Sequence, residues 1–161
     1  MNLRERTLRE LFETLMGLEK EECRYYPCHF EGQDCSLCFC PFYPCLIYET
    51  GGELKGNVMW SCMKCDLVHR REVVEEIKSI LSGYPFQVLA DEKWKFFNEI
   101  LQGIIFGEVK GKSVGRAYTV YEFGDEDECY LVILNDFDIV DVVRGRCSDL
   151  KRKKGVLIPI Y

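Results

Sequence analysis

The chain has 161 residues, of which 47% are hydrophobic and 30% charged, a balance typical of folded globular proteins. Its formal net charge of −6 disfavours general affinity for nucleic acid or for anionic membrane. No charge-free apolar run approaches the ~18 residues of a membrane span, and the charged N-terminus is unlike a signal peptide, so we expect a cytoplasmic protein.

The first residues predict an amphipathic helix. Between Leu3 and Leu18, apolar residues recur at helical spacing with charged residues between them. The apolar positions are Leu8, Leu11, Phe12, Leu15 and Met16. This stripe needs a partner, and packing within the same chain is favoured over a dimer interface.

A cysteine-rich segment follows this helix and holds eight of the ten cysteines. They are Cys23, Cys28, Cys35, Cys38, Cys40, Cys45, Cys62 and Cys65. The segment is rich in Pro, Gly and aromatic residues, which predicts loops and short turns, with a hairpin or surface loop at residues 49–59. Because it has few aliphatic residues, disulfides or metal must hold it rather than apolar burial.

The cysteine spacing favours metal. Cys35 with Cys38, and Cys62 with Cys65, form C-x-x-C pairs, a spacing that lets a tight turn aim both sulfurs at one ion. In a reducing compartment such pairs are more often metal ligands or redox pairs than structural disulfides. The other candidate ligands are Cys23, Cys28, Cys40 and Cys45, with His29 and His69 as possible ligands. We expect two four-coordinate sites or one cluster with shared sulfurs, and spacing leaves the division of ligands open.

Two kinds of metal centre fit a set of thiolates. Zinc suits tetrahedral thiolate sites, and a structural zinc contributes on the order of 10–16 kcal/mol to folding. An iron–sulfur cluster also takes four thiolates, and Cys40-Pro41 resembles the cysteine-proline that closes cluster-binding runs, although the full run is absent. We therefore predict two zinc ions and keep an iron–sulfur cluster as the alternative.

The order Cys-Arg-Tyr-Tyr-Pro-Cys-His, Cys-Ser-Leu-Cys-Phe-Cys-Pro and Cys-Met-Lys-Cys, ending at His69, resembles the cysteine-rich small domain family. This is a zinc-finger-like family regarded as probable metal-binding. The resemblance covers about residues 21–72 and places all eight cysteines and both histidines within the family's motif. Some members are joined to adenosylcobinamide amidohydrolases, so the resemblance implies a link to corrinoid or other anaerobic cofactor metabolism.

A second helix is predicted after the cysteine-rich segment. Apolar residues recur with helical period from Val68 to Leu81, and Gly83 followed by Tyr84-Pro85 ends the helix. We place the main domain boundary there. The chain then divides into an N-terminal helix at residues 1–20, a metal-binding domain at 21–83 and a small α+β domain of unknown role at 84–161.

The C-terminal part is predicted to be a mostly antiparallel sheet with a covering helix. Asp91 has the side chain of an N-cap for a helix through Leu101, which Gly103 ends. Five β-rich runs follow, at residues 104–109, 117–123, 129–134, 139–143 and 156–160. With the irregular cysteine-rich domain before it, the chain is predicted to be α+β.

Weaker signals lie in this C-terminal part. Cys129 sits in an apolar strand and is predicted to be core, whereas Cys147 lies in a polar stretch and is predicted to be an exposed thiol. Neither has a histidine close in sequence. Asp136, Asp138 and Asp141 suit the exposed side of a half-buried strand better than a divalent-cation site or an acid/base pair.

Two further motifs suggest phosphate. Residues 107–113 are similar to a phosphate-binding P-loop but are one residue too short between the glycines, so a hairpin turn is favoured. Arg144, Arg146 and residues 151–154 form a basic cluster that suits phosphate or an acidic partner, although a solvated loop is favoured.

The function best predicted by these patterns is that of a metal-binding accessory or binding module with an unidentified protein partner. A binding module predicts closed sites, in which four protein ligands leave no open coordination position on the metal. The alternative, an iron–sulfur protein with a redox or enzymatic role, predicts an open metal position or a pocket with convergent polar groups. No catalytic residue is assigned.

Overall fold

The structure is a computed structural model that describes residues 1–56, 59–110, 112–114 and 118–157. Its helices are α1 Leu3–Leu15, α2 Arg71–Leu81, α3 Phe86–Asp91, α4 Trp94–Phe106 and α5 Cys147–Leu157. Its strands are β1 Glu53–Lys55, β2 Met59–Ser61, β3 Lys112–Val114, β4 Thr119–Gly124, β5 Cys129–Asn135 and β6 Asp138–Gly145. The predicted α+β class is confirmed. Within the part of the chain described, no helix has the length and apolar character to cross a membrane.

Helix α1 begins with a capping box. The Asn2 side chain accepts a hydrogen bond from the Glu5 amide at 2.9 Å, and the Glu5 carboxylate accepts one from the Asn2 amide at 2.8 Å. The buried face carries Leu11, which lies in the main core, and Thr14, whose hydroxyl donates to the Ser36 carbonyl oxygen at 3.0 Å. The helix therefore packs on its own chain, as predicted.

The cysteine-rich segment is irregular, as predicted. Turns, bends and a short 3₁₀ helix at Tyr48–Thr50 connect α1 to a hairpin of β1 and β2, in which Glu53 pairs with Ser61 and Lys55 with Met59. Helix α2 follows a second 3₁₀ turn and ends at Leu81, which confirms the helix predicted there. Its residues Val74, Ile77 and Leu81 are buried in the main core.

Two predicted helix boundaries were wrong. Asp91 does not cap a helix; it is the last residue of α3, a short helix that the sequence pattern did not predict. Helix α4 starts at Trp94, and the Trp94 amide donates instead to Asp136 at 2.9 Å. Asp136 lies in the β5–β6 turn rather than along a strand, so a side chain distant in sequence caps the helix.

Gly103 also does not end α4, which continues to Phe106, so residues 104–106 are helical and the strand predicted at 104–109 was wrong. Ile104, Ile105 and Phe106 pack against the main core, and this packing outweighs the roughly 1 kcal/mol cost of an interior glycine. Gly107, with φ of 74°, ends the helix by donating its amide to the Gly103 carbonyl oxygen at 2.9 Å.

Among the residues that the structure describes, the C-terminal sheet has four strands in the order β3-β4-β5-β6, with antiparallel neighbours. Thr119 pairs with Leu134 and Glu122 with Leu131, so the predicted antiparallel sheet is confirmed, except that Ala117 lies outside the described residues. The P-loop comparison fails for the residues described, because Lys112 and Ser113 begin a strand rather than a helix. Gly111 lies outside them.

Helix α5 replaces a predicted strand and a predicted loop. Residues 156 and 157 are helical, which contradicts the strand predicted at 156–160, while residues 158–160 lie outside the described part. The basic run at 151–154 lies in the same helix instead of a solvated loop. Ion pairs of Arg152 with Asp149 and of Lys151 with Glu122 accompany this helical turn.

Alternation along the strands gives the sheet two different faces. Tyr121, Val132 and Leu134 join a core that also contains residues of α1, the cysteine-rich segment, α2, α3 and α4. The opposite face carries a smaller cluster of Val120, Cys129, Leu131, Ile133 and Cys147. The main core continues across residue 83, and the domain division placed there stays a prediction.

Candidate metal centre

Tight turns place the paired cysteines. The Cys38 amide donates to the Cys35 carbonyl oxygen at 3.4 Å, and the Cys65 amide donates to the Cys62 carbonyl oxygen at 3.1 Å. A similar turn follows Cys40, whose carbonyl oxygen accepts from the Tyr43 amide at 3.2 Å. The C-x-x-C spacing thus produces the turns expected from the sequence.

Four cysteines, which we call the inner group, influence one another electrostatically. They are Cys40, Cys45, Cys62 and Cys65. Burial, together with the smaller effect of neighbouring thiols of the group, raises the pKa of Cys45 to about 11 and that of Cys62 to about 12. Burial also raises the pKa of Cys40 well above its usual range. Four thiolates buried this close together would repel one another, and only a bound cation would offset that cost in free energy.

The raised pKa values determine how this group responds to pH. Thiols with a pKa of about 11 or 12 are protonated at neutral pH, so a cation that binds Cys45 and Cys62 must displace their protons. Metal affinity therefore rises with pH, since fewer protons remain to be displaced. In the metal-free protein, by contrast, stability falls as pH rises. The contribution of these thiols to folding is fully present below about pH 9, the usual pKa of a thiol, and is lost as pH rises through their pKa values in the folded state.

An orphaned indole N–H lies beside the inner group. The Trp60 Nε1 atom is buried and has no hydrogen-bond partner of standard geometry within the described structure. Its N–H nevertheless acts on the sulfurs of Cys45 and Cys62, and lowers the pKa of both against the stronger effect of burial. A metal-bound thiolate is a better acceptor than a thiol, so the residues present fit a thiolate-bound cation.

Backbone conformation shapes the inner group. Leu46, directly after Cys45, is buried and has φ of 59°, which is uncommon for a branched side chain. Gly51 has φ of 92°, and a Cβ atom there would clash with the Lys64 carbonyl oxygen. At Gly52 a Cβ atom would meet the Trp60 ring at 2.5 Å. These glycines let the 45–52 loop approach Trp60 and the Cys62–Cys65 turn.

Three more cysteines, Cys28, Cys35 and Cys38, form what we call the outer group around the buried amide of Gln33. Gln33 Nε2 donates to Cys28 Sγ at 3.4 Å and to Cys35 Sγ at 3.3 Å. Its Oε1 accepts from the His29 amide at 2.8 Å, which fixes the side chain. Burial, followed by the effect of Cys35, raises the pKa of Cys38 to about 12.

The two candidate histidines lie together. Their rings stack with centroids 4.3 Å apart, and burial, followed by the effect of His69, lowers the pKa of His29. His69 is buried, and its Nδ1 lies 2.9 Å from the Asp34 carbonyl oxygen. When Nδ1 carries the proton of this hydrogen bond, Nε2 is the nitrogen available to a cation.

Cys23 is the cysteine least integrated with the others. It is exposed, and its carbonyl oxygen accepts from the Tyr26 amide at 3.0 Å in a local turn. The structure thus places three of the eight cysteines in the outer group and four in the inner group, and it leaves Cys23 at the edge.

Comparison with known proteins identifies the family of this segment. Residues 14–90 match the family described as cysteine-rich small domain. They are a cysteine-rich small domain. The match extends beyond the cysteines to include the end of α1 and all of α2 and reaches Ala90 in α3. The family and the cysteine groups together fit metal binding.

Two curated relatives match part of this chain. A protein of Methanothermobacter thermautotrophicus named probable cobalt-factor III C(17)-methyltransferase is 48% identical over 68 residues, which are 39% of this chain and 19% of the relative. An uncharacterized protein of Methanocaldococcus jannaschii is 55% identical over 58 residues, 34% of this chain and 49% of the relative. This chain therefore covers less than half of either relative. No solved structure matches significantly.

One cavity lies between the inner group and Cys38 of the outer group. It has a volume of about 70 Å³ and lies among Cys38, Cys40, Cys45, Cys62, Cys65, His29 and His69. Among the described residues, Glu122, Cys129 and Cys147 are the only three whose ligand atoms all lie within 4.8 Å of one another. A zinc tetrathiolate needs sulfurs about 3.8 Å apart, so the inner cysteines would have to close around an ion.

Sequence patterns did not predict the hydrogen-bonding roles of three side chains of the cysteine-rich small domain, although the aromatic residues of the segment, Trp60 among them, are expected to shield the metal sites. Gln33 and Trp60 precede knuckle cysteines by two residues, a position without recognisable meaning in one sequence. Thr50 Oγ1 lies 3.8 Å from Cys45 Sγ and donates to the Ile47 carbonyl oxygen at 2.7 Å. All three are buried polar groups whose roles depend on folding that brings distant segments together.

The prediction that Cys147 is an exposed thiol was wrong. Cys147 is 5% exposed and is bonded to Cys129 in a disulfide. Its stretch of sequence reads as polar because Cys147 is the buried residue of an otherwise exposed first turn of α5. Cys129 is fully buried, as predicted.

Proposed function

We propose that this chain is a metal-binding accessory module whose cysteine-rich small domain holds two zinc ions. The inner group supplies four thiolates to one ion. The outer group supplies Cys28, Cys35 and Cys38 to the other, with Cys23, His29 or His69 as its fourth ligand. The observation that carries this proposal is the convergence of four thiols around one cavity, with the buried Trp60 N–H acting on two of their sulfurs.

Zinc is favoured over iron because of how the inner group is enclosed. Cys45 and Cys65 are each 5% exposed, and the inner cysteines already suffice for a closed tetrahedral site without an open position. Such sites stabilise folds rather than carry out chemistry, which suits a segment of irregular structure. Iron–sulfur chemistry remains the second candidate, since it also uses four thiolates.

Metal analysis of anaerobically purified protein is the test. We expect a colourless protein with two zinc ions per chain, measured by elemental mass spectrometry together with the visible absorption spectrum. A brown protein that contains iron and acid-labile sulfide would replace zinc by the cluster alternative. A folded preparation without any bound transition metal would refute both.

We further propose that the module serves corrinoid metabolism through a protein partner. The support is the relative whose printed name is probable cobalt-factor III C(17)-methyltransferase, in which the matching segment forms 19% of the length. A module fused to an enzyme in one protein often contacts that enzyme when it occurs separately. The matching segment forms 39% of this chain.

The partner proposal predicts complex formation with a cobalt-factor III methyltransferase that lacks this segment. We expect the zinc-loaded full chain to co-elute with it on size-exclusion chromatography, and a metal-depleted sample to elute separately. A single-chain peak at every concentration up to about 100 μM would oppose direct contact, because transient biological complexes are typically stronger than this. The metal proposal would be unaffected by that result.

A further inference from the structure

The two cysteines outside the cysteine-rich small domain lie on the far face of the C-terminal sheet. Cys129 in β5 and Cys147 at the start of α5 are joined by a disulfide, with Cα atoms 5.0 Å apart. They pack with Val120, Leu131 and Ile133 in the smaller apolar cluster. This cluster is separate from the core that contains Cys45 and Cys65, so chemistry at the pair need not disturb the metal ligands.

A carboxylate faces the Cys147 sulfur. Glu122 Oε1 lies 3.0 Å from Cys147 Sγ, a distance at which the reduced thiol donates its proton to the carboxylate. The other oxygen, Oε2, lies 2.7 Å from Lys151 Nζ, one helical turn after Cys147. The buried Cys147 thiol therefore faces a base, the Glu122 carboxylate, and the Lys151 ammonium group orients that base.

The backbone fixes Cys147 in this position. Its amide donates to the Glu126 carbonyl oxygen at 2.9 Å, and the Ser148 amide donates to Glu126 Oε1 at 3.2 Å. The β4–β5 turn thus holds the first turn of α5. As the first residue of a helix, Cys147 lies where the backbone amides stabilise a thiolate.

We propose that Cys129 and Cys147 are a reversible thiol–disulfide exchange site, in which Glu122 takes the proton of the Cys147 thiol. The Cys147 thiolate attacks a disulfide of a small molecule or protein, which releases one thiolate and leaves a mixed disulfide. The Cys129 thiolate then attacks the Cys147 sulfur and releases the second thiolate. The chain loses two electrons, the substrate disulfide gains them, and the two protons end on the released thiols.

The surroundings of the Cys129–Cys147 disulfide favour reversible exchange over a permanent cross-link. The other eight cysteines form no disulfide, and both thiolate metal ligands and unpaired thiols persist best under reducing conditions. Under such conditions a disulfide persists or opens according to its equilibrium with thiols, and a base at one sulfur speeds both directions. The structure places such a base, the Glu122 carboxylate, at this disulfide.

The experiment is a thiol trapping assay on the full, metal-loaded chain. Anaerobic protein is equilibrated with reduced and oxidised dithiothreitol at varied ratios, alkylated and digested with trypsin. Each cysteine then has its own peptide, residues 117–144 for Cys129 and residues 147–151 for Cys147. We expect a reversible change between two alkylated peptides and one linked pair, with zinc content unchanged.

Glu122→Gln tests the role of the base. We expect closure by oxidised dithiothreitol to slow by about 10²-fold near neutral pH, and the rate to become steeply pH-dependent because the thiol must ionise unaided. Glu128→Gln removes a carboxylate that bonds the Tyr130 hydroxyl on the same hairpin and should react like the parent.

Three results would overturn the proposal. The linked peptide could persist in excess reductant under native conditions, which would make the disulfide purely structural. The pair could stay alkylated in excess oxidant. Or a third metal ion could be present and be lost in Cys129→Ser, which would make Glu122, Cys129 and Cys147 a metal site instead. An unchanged rate and pH profile in Glu122→Gln would remove the base from the mechanism.

Discussion

Cys62→Ser should lose one zinc ion and unfold the cysteine-rich small domain. Cys62 belongs to the inner group, where burial and neighbouring thiols raise its pKa to about 12, so only a bound cation makes its thiolate favourable. A structural zinc contributes on the order of 10–16 kcal/mol, which equals or exceeds the 5–15 kcal/mol by which a typical domain is stable. If removal of one ligand releases the ion, the free energy lost therefore exceeds the stability that the remaining contacts supply.

Two variants make this result specific. Met63→Ser changes the neighbouring residue of the same turn, and the Met63 side chain is 76% exposed. This variant should retain both ions, and its free energy of unfolding should change by less than about 0.5 kcal/mol. Cys28→Ser removes a proposed ligand from the outer group, in which Cys28 is exposed. It should lose the other ion and loosen residues near Gln33, while the core around Trp60 stays folded.

Zinc content and near-ultraviolet circular dichroism of Trp60 and Trp94 measure these outcomes, since both indoles are buried. If Cys62→Ser retains two ions and the native aromatic spectrum, the inner group is not a metal site. If Cys28→Ser unfolds the core as completely as Cys62→Ser, the division into inner and outer groups is wrong.

Local signals in the sequence were sufficient for much of the fold. Helices α1 and α2, the β1–β2 hairpin and strands β4 to β6 were predicted because apolar periodicity and glycine-rich turns act over a few residues. Helix ends were less predictable. Asp91 and Gly103 have the residue types of caps, but Asp136 and Gly107 take those roles because of tertiary contacts and continued core packing.

The metal centre shows the same limit. Spacing predicted the turns at Cys35–Cys38 and Cys62–Cys65, since a turn is local. Spacing allowed Cys38 and Cys40, with only Phe39 between them, to serve two different metals, but it did not predict that Cys40 would join the inner group with Cys45. That division depends on where the chain returns after the β1–β2 hairpin, which no spacing encodes. The contact of Cys147 with Cys129 was missed because α5 was not predicted.

Asn98→Leu should destabilise the protein by about 2–5 kcal/mol, since it leaves two buried polar groups without partners. Asn98 is fully buried in α4, and its Nδ2 donates to the Cys45 carbonyl oxygen at 2.7 Å. Its Oδ1 accepts from Gln102 Nε2 at 2.6 Å, and Gln102 Oε1 accepts from the Lys110 amide at 2.6 Å. Leucine has a similar size but can make none of these bonds.

The effect should reach the metal centre, because this hydrogen-bond chain crosses the boundary predicted at residue 83. Trp94 Nε1 donates to the Pro44 carbonyl oxygen at 2.7 Å, so α4 holds the Cys45 loop at two points. Once Asn98 is replaced, Cys45 and the strained Leu46 are less well fixed. We expect weaker zinc retention in a competition with chelator, in addition to a lower melting temperature.

Asn135→Leu is the matched control, because it makes the same chemical change at an exposed position in β5 and should shift stability by less than about 0.5 kcal/mol. Chelator titrations monitored by hydrogen exchange distinguish the two views of the boundary. Coupled halves predict that Asn98→Leu lowers protection in both the Cys45 loop and the sheet. Independent domains at residue 83 predict that zinc retention equals that of the parent, and this result would mean that α4 does not support the metal centre.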